Sequence, residues 1–115
     1  MQNPVLIDTI QKLKVASKSN NVKIWLAVAR MLERSRSRRV EVNIDRIARY
    51  TKDGSKVVVP GKVLAKGNID HKIELAAFAI SEAAARKIKE AGGMILTLEE
   101  MANKYPDGKE VMIIG

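Results

Sequence analysis

The chain contains no cysteine, a single histidine and only four aromatic residues. The absence of cysteine excludes disulfides and thiolate metal sites and fits a reducing compartment. Because His71 has no second histidine or cysteine to join it, we predict no metal site and no cofactor. The scarcity of aromatic rings means that the core must be built from Val, Ile, Leu, Met and Ala.

Long apolar runs are also missing from the sequence. No stretch approaches the ~20 apolar residues that a membrane-spanning helix needs. The first residues do not read as a secretory signal, because Asp8 interrupts their apolar part and no cleavage-like sequence follows. We therefore expect a soluble, cytoplasmic protein with no membrane partner.

Acidic residues are too few to balance the basic ones. Lys and Arg total 21 against 13 Asp and Glu, which gives a net charge of +8. Residues 1–72 carry 16 basic and 6 acidic side chains, or +10, whereas residues 73–115 carry 5 and 7, or −2. This segregation indicates a part that faces a polyanion and a nearly neutral scaffold.

Residues 1–33 predict a helical hairpin. Asn3 and Pro4 suit a helix start, and the polar segment 17–21 is expected to end that helix. The apolar stripe of the first helix is Leu6, Ile10 and Leu13, and that of the second is Ile24, Val28, Met31 and Leu32. Trp25 is predicted at the edge of the second stripe, where packing is favoured over stacking on a nucleic-acid base.

Residues 34–56 predict a basic loop followed by small elements. The segment 34–39 has no apolar residue, so it cannot be core. A short strand is expected at 40–42, followed by a short helix capped by Asn43 and a turn at 51–54.

Residues 57–115 alternate short strands and helices. Strands are predicted at 57–59, 62–64, 73–80, 94–96 and 111–114, and helices at 82–91 and from 98 to before Pro106. Pro60-Gly61 is interpreted as a turn between two strands, while Ser81 and Thr97 are interpreted as helix caps. Three alanines keep a helix possible for 73–80. The length and pattern predict one α/β domain over 1–115, with a helical cover (1–33), a basic loop and short helix (34–56) and an α/β core (57–115).

Two blocks of sequence resemble a known family. Lys62-Val63-Leu64-Ala65, Gly67 and Ile69, then Ser81-x-x-Ala84-x-x-x-Ile88-x-x-x-Gly92, follow one signature in order and spacing. It is similar to that of the ribosomal family which joins bacterial large-subunit protein fifteen with archaeal and eukaryotic protein eighteen-e. The block Arg36-x-x-Arg39, then Val42-Asn43-Ile44-x-Arg46-Ile47, resembles the eighteen-e branch, and the compact chain looks archaeal-like.

The resemblance implies a fold of irregular strand–strand–helix units wound in a short superhelix. It also implies a non-enzymatic structural constituent of the large ribosomal subunit. The expected partners are large-subunit ribosomal RNA and neighbouring large-subunit proteins, with no small-molecule substrate.

Basic side chains in loops and short elements are the candidate RNA contacts, because guanidinium and ammonium groups bind phosphate. The candidates are Arg30, Arg34, Arg36, Arg38, Arg39, Arg46, Arg49, Lys52, Lys56, Lys62, Lys66 and Lys72. Gly61 and Gly67 are interpreted first as turns, although both would also let backbone amides approach phosphate closely.

No residue pattern favours catalysis. Asp70, His71 and Ser81 could form a hydrolytic trio on paper, but no G-x-S-x-G turn is present and helix capping accounts for Ser81. Glu99 and Glu100 suit the first turn of a helix. The alternatives are a small basic DNA- or RNA-binding protein outside the ribosome and an RNA-modifying or RNA-cleaving enzyme. Neither a helix-turn-helix nor a cofactor loop supports them.

Overall fold

A parallel β-sheet lies between two layers of helix. The computed structural model describes residues 4–34 and 40–115, with the side chain of Arg34 outside that description. The helices are α1 (Pro4–Asn20), α2 (Ile24–Arg34), α3 (Ile44–Tyr50), α4 (Glu82–Glu90) and α5 (Leu98–Lys104). The strands are β1 (Val40–Asn43), β2 (Ser55–Leu64), β3 (Ile73–Ile80), β4 (Met94–Leu96) and β5 (Val111–Ile113).

Strand β2 is the centre of the sheet. It pairs with β3 along one edge, and β4 pairs with β3 farther out. The other edge is shared, because β1 pairs with 61–64 and β5 pairs with 56–58. Every one of these pairings is parallel, so the chain crosses back between strands through α3, the loop 65–72, α4 and α5.

Alternation along β2 divides the interior into two cores. Val57 and Val59 belong to one core with α3 and α4, whereas Val58 belongs to the other with α1, α2 and α5. Both faces of the sheet are therefore covered, which suits the apolar character of its strands. The sequence-predicted fold class is confirmed: a mixed α/β domain with an N-terminal helical hairpin.

The prediction of a turn at Pro60-Gly61 is wrong. Both residues are buried inside β2, which continues through them as one strand with a shift of register between Val59 and Lys62. Proline has no N–H to donate to a ladder, so it is tolerated at such an irregularity. A β-carbon on Gly61 would lie 2.1 Å from the Val40 carbonyl oxygen, so glycine lets β1 approach.

The helical hairpin differs from its prediction in two details. Helix α1 continues to Asn20. Its last turn is held by the side-chain amide of Asn20, which donates to the Ala16 carbonyl, and by the buried Ser17 hydroxyl, which donates to the Val22 carbonyl. Trp25 is fully buried rather than at an edge, and its indole N–H donates to the Pro106 carbonyl at 3.2 Å. The packing interpretation of this residue is therefore confirmed.

Helix caps decide where the elements begin. The hydroxyl of Ser81 accepts from the N–H of Ala84, and Thr97 forms a complete capping box with Glu100, as predicted. Asn43 precedes α3 but makes no side-chain cap, so that prediction is wrong. The N–H of Asp45 in the first turn of α3 instead donates to the Lys66 carbonyl at 3.0 Å. Among the described residues, no helix is long and apolar enough to cross a membrane.

Candidate nucleic-acid interface

The basic residues predicted to contact RNA lie in several separate parts of the structure. Arg30 is exposed on α2, in the hairpin layer. The side chains of Arg34, Arg36, Arg38 and Arg39 lie outside the described residues, as does Asn3. Five others lie on consecutive or adjoining segments on the opposite side of the sheet, which we call the α3–loop surface: Arg46, Arg49, Lys52, Lys66 and Lys72.

Hydrogen bonds join α3, the turn after it and the loop 65–72 into one surface. The Lys72 N–H donates to the Asp53 carboxylate at 3.0 Å, and the Gly54 N–H donates to the Lys72 carbonyl at 2.8 Å. The Thr51 hydroxyl meets Nε2 of His71 at 2.7 Å. These contacts hold the segments that carry the five basic side chains next to one another.

All five basic side chains of the α3–loop surface are exposed. Within residues 4–34 and 40–115, none of them forms an ion pair with an acid. The guanidinium of Arg46 donates to the Gly115 carbonyl at 3.3 Å. Three acids also lie here, of which Asp53 accepts from a backbone N–H and Asp70 faces His71 at 3.2 Å. The third is Asp45, in the first turn of α3.

Lysine 87 holds the loop 65–72 from beneath. Its ammonium donates to the Ala65 carbonyl at 2.7 Å and to the Gly67 carbonyl at 2.6 Å. Gly67 has a φ of +102°, and a β-carbon there would lie 2.3 Å from that of Asp45. Glycine is therefore required, and the loop is fixed to both α3 and α4.

Two predicted contacts lie elsewhere on β2. Lys62 is exposed and lies opposite Glu41 in the β1–β2 register, but their side chains, both among the described residues, form no ion pair. Lys56 lies near the start of β2, with 23% of its side chain exposed and its ammonium 3.7 Å from Glu110. The same ammonium lies 4.4 Å from the centre of the Tyr105 ring. Lys56 therefore already has an anionic partner inside the chain, whereas Lys62 has none among the described residues.

Acids of the C-terminal part are mostly engaged within the protein. Glu74 accepts from the Lys104 ammonium and from the Tyr105 hydroxyl. Burial alone would raise the pKa of the Glu74 carboxyl, but these two hydrogen bonds and the nearby positive charges lower the pKa below its usual value. The same hydrogen bond to Glu74, together with burial, raises the pKa of the Tyr105 hydroxyl.

Helix α1 is joined to α5 by a similar network. The Lys12 ammonium lies 3.0 Å from Asp8 and 3.2 Å from Glu99, and hydrogen bonds to these two carboxylates raise the pKa of Lys12. The acids therefore pair with lysines away from the α3–loop surface, whose own cations stay available to an external anion.

The residues weighed as a hydrolytic trio have other partners in the structure. His71 contacts Thr51 and Asp70, and the oxygen of Ser81 caps α4, so the hydrolytic trio does not assemble. In the described part of the chain, no three His, Asp or Glu side chains cluster in a way that could hold a metal ion.

Comparison with known proteins gives the family. The profile of the family described as "Ribosomal protein 60S L18 and 50S L18e" matches residues 4–115. The chain belongs to this family. The match spans both halves of the molecule, including the helical hairpin, the α3–loop surface and α4.

Archaeal members of the L18/L18e family resemble the chain closely. The large ribosomal subunit protein eL18 of Pyrobaculum aerophilum is 47% identical over 89% of this chain and 84% of its own length. Those of Methanosphaerula palustris and Methanococcus maripaludis are 43% and 40% identical. They cover 97% and 98% of this chain, and 93% and 94% of their own lengths. The predicted archaeal-type resemblance is thus confirmed along nearly the whole sequence.

Two features of this L18/L18e chain were not predicted from its sequence. Lys87 is not among the predicted contacts, because no local signal shows that its ammonium reaches carbonyls some twenty residues earlier. The cluster around Glu74 was also missed, because its members come from β2, β3 and the end of α5. Both features depend on how the parallel strands bring distant segments together.

Proposed function

We propose that this chain is a non-enzymatic structural constituent of the large ribosomal subunit that binds and stabilises large-subunit ribosomal RNA. The observation that carries the proposal is the family match over residues 4–115, together with relatives named as large ribosomal subunit proteins. The same assignment gives its location, the large ribosomal subunit in the cytoplasm, and its further partners, the neighbouring large-subunit proteins.

The charge layout supports RNA as the ligand. Arg46, Arg49, Lys52, Lys66 and Lys72 are exposed and without acidic partners among the described residues. Lysine and arginine in such a setting gain free energy when phosphate releases its counterions. We include Lys62, Arg30 and the arginine segment 34–39 in the proposed interface, and we leave out Lys56 because its ammonium already faces Glu110.

Co-sedimentation tests the assignment directly. A tagged copy expressed in its native cells should travel with large subunits on a sucrose gradient and stay with them at moderate salt. Association with DNA, or recovery only in the ribosome-free fractions, would instead support a basic nucleic-acid-binding protein outside the ribosome.

Replacing the arginine segment tests the proposed contacts. Changing Arg34, Arg36, Arg38 and Arg39 to Ala should weaken binding to protein-free large-subunit ribosomal RNA. Each lost phosphate contact should also reduce the salt slope of log affinity, by roughly 0.7–0.9. A matched variant replaces four exposed cations elsewhere, Lys23, Arg86, Lys89 and Lys109, with Ala. If a salt titration gives the two variants the same slope, the arginine segment has no specific role.

A further inference from the structure

Three consecutive carbonyls in the loop after β2 point into the protein. Those of Ala65 and Gly67 accept from the Lys87 ammonium, at 2.7 Å and 2.6 Å. The carbonyl between them, that of Lys66, accepts from the Asp45 N–H at 3.0 Å. The loop therefore uses every acceptor from 65 to 67 to attach itself to α3 and α4.

The orientation of these carbonyls fixes the orientation of the next three N–H groups. A trans peptide holds its N–H opposite its C=O, and the described residues contain no cis peptide. The N–H groups of Lys66 and Asn68 therefore point away from the Lys87 ammonium, and that of Gly67 points away from the Asp45 N–H in α3. None of the three donates a hydrogen bond to any described residue, and the Lys66 and Asn68 side chains are exposed.

The electrostatics of the loop favour an anion at these N–H groups. The Lys87 ammonium forms no ion pair among the described residues, so its charge is not neutralised beneath the loop. A cation bonded to the carbonyl side of a peptide also polarises its N–H side. One negative charge lies nearby and would repel an anion. It belongs to Asp45, whose backbone N–H and β-carbon contact the loop from the first turn of α3.

We propose that the N–H groups of Lys66, Gly67 and Asn68 bind a backbone phosphate of the RNA, with Lys87 as the positioning residue beneath them. The proposal rests on the proposed function, which supplies RNA as the source of phosphate. The exposed Lys66 ammonium adds a cation in front of the same peptides. Gly67 makes the site possible, because its positive φ lets the loop reach both Lys87 and Asp45.

The first test uses the free chain and inorganic phosphate. In a ¹⁵N-labelled sample at constant ionic strength, replacing chloride with phosphate should shift the amide resonances of Lys66, Gly67 and Asn68. Lys87→Met should abolish these shifts, whereas Lys89→Met, which removes the same charge from an exposed position of α4, should preserve them. Stationary amides in the unmodified chain, or equal losses in both variants, overturn the proposal. The unmodified chain and Lys89→Met decide the matter even if Lys87→Met does not fold.

The second test asks whether the phosphate belongs to RNA. Hydrogen exchange of the three amides should be fast in the free chain and at least about tenfold slower in assembled large subunits. Fast exchange in the subunit contradicts the proposal even if inorganic phosphate shifts the resonances. In that case the proposed function still stands, because it fails only when the chain does not enter the subunit at all.

Binding to protein-free large-subunit ribosomal RNA gives a third measurement. Lys87→Met should weaken it by about tenfold, the loss expected when one charge-assisted contact is misplaced. In a Lys66→Ala background the additional loss should be smaller, because both residues serve the same phosphate. Fully additive losses would assign Lys87 an independent role and remove it as a positioning residue.

Discussion

At the residue scale, Glu74 is a partly buried carboxylate with two hydrogen-bond donors from other elements of the fold. Its side chain is 21% exposed and accepts from Lys104 and Tyr105. Because its pKa is lowered in the folded state, the carboxylate stabilises the fold above the ordinary value of 4.5 and loses that effect as the pH falls below it. The pKa of Lys104 and that of Tyr105 are both raised, so their contributions are lost only at alkaline pH.

Replacing Glu74 with Gln should therefore have a pH-dependent cost. At pH 7 the free energy of unfolding should fall by about 1–2 kcal/mol, because two hydrogen bonds lose their charged acceptor. The difference from the unmodified chain should be smaller at an acidic pH well below 4.5, because Glu74 loses its charge as the pH falls through its lowered pKa. Urea denaturation at the two pH values measures it, with Glu90→Gln as an exposed control. Equal losses at both pH values would show that packing, not charge, is the cause.

Trp25 gives a second residue-scale prediction. Trp25→Phe keeps an aromatic ring but removes the N–H that donates to Pro106, and it leaves space in a fully buried position. Stability should fall by about 1–3 kcal/mol, while affinity for large-subunit ribosomal RNA in the folded range should stay within about twofold. A large loss of RNA affinity with unchanged stability would mean that the ring stacks on a base after all.

At the element scale, α4 packs against the core on one side and holds the loop 65–72 on the other. Ser81 starts the helix, Ile88 is buried against the sheet, and Lys87 reaches the loop 65–72. Gly93 lies so close to Ile88 that a β-carbon there would come within 2.9 Å of it. The position of α4 therefore fixes the position of the loop.

Ile88→Ala should accordingly destabilise the whole domain. A buried Ile truncated to Ala typically costs roughly 2–5 kcal/mol, through lost burial and the cavity left behind. Chemical denaturation measures the loss, and Arg86→Ala, two positions away and exposed, should change stability by no more than ~0.5 kcal/mol. A loss below ~1 kcal/mol for Ile88→Ala would indicate that neighbouring side chains fill the space left by the removed atoms.

The helices and two of their caps, at Ser81 and Thr97, were predicted well from the sequence. The stripe in α2, the cap at Ser81 and the capping box at Thr97 are local patterns, readable within one turn. The direction of strand pairing was not predicted, because it is decided by contacts between distant segments. Pro60-Gly61 misled for the same reason: the usual turn signal is overridden by pairing with β1 and β3 on either side.

At the scale of the whole molecule, only some of the basic residues before position 73 lie together on one surface. The α3–loop surface is the proposed RNA face, as the excess of basic residues before position 73 predicted. Lys12, Lys14 and Lys56 belong to the same basic part but pair with acids inside the protein. Sequence counts cannot separate paired lysines from available ones, because the partners of Lys12 and Lys56 come from the C-terminal part.

Lysine acetylation of free protein and whole subunits should reveal this division. Lys52, Lys62, Lys66 and Lys72 should be reactive in the free chain and protected in the subunit, because phosphate or RNA covers them. Lys109, an exposed residue of the C-terminal part, should stay reactive in both. Mass spectrometry of the modified peptides gives the answer. Protection of Lys109 with Lys52 and Lys66 left open would place the RNA on the other side.

The shared edge of β2 also governs when the molecule can finish folding. Residues 61–64 meet β1, which the ribosome has already synthesised, but 56–58 must wait for β5 at 111–113. Until then, residues 56–58 of the nascent chain form an unpaired, largely apolar strand edge. Such edges can pair with other chains. Contacts between positions so far apart in sequence also form slowly. Docking of β5 should therefore be a late step in folding, and it closes the strand edge to other chains.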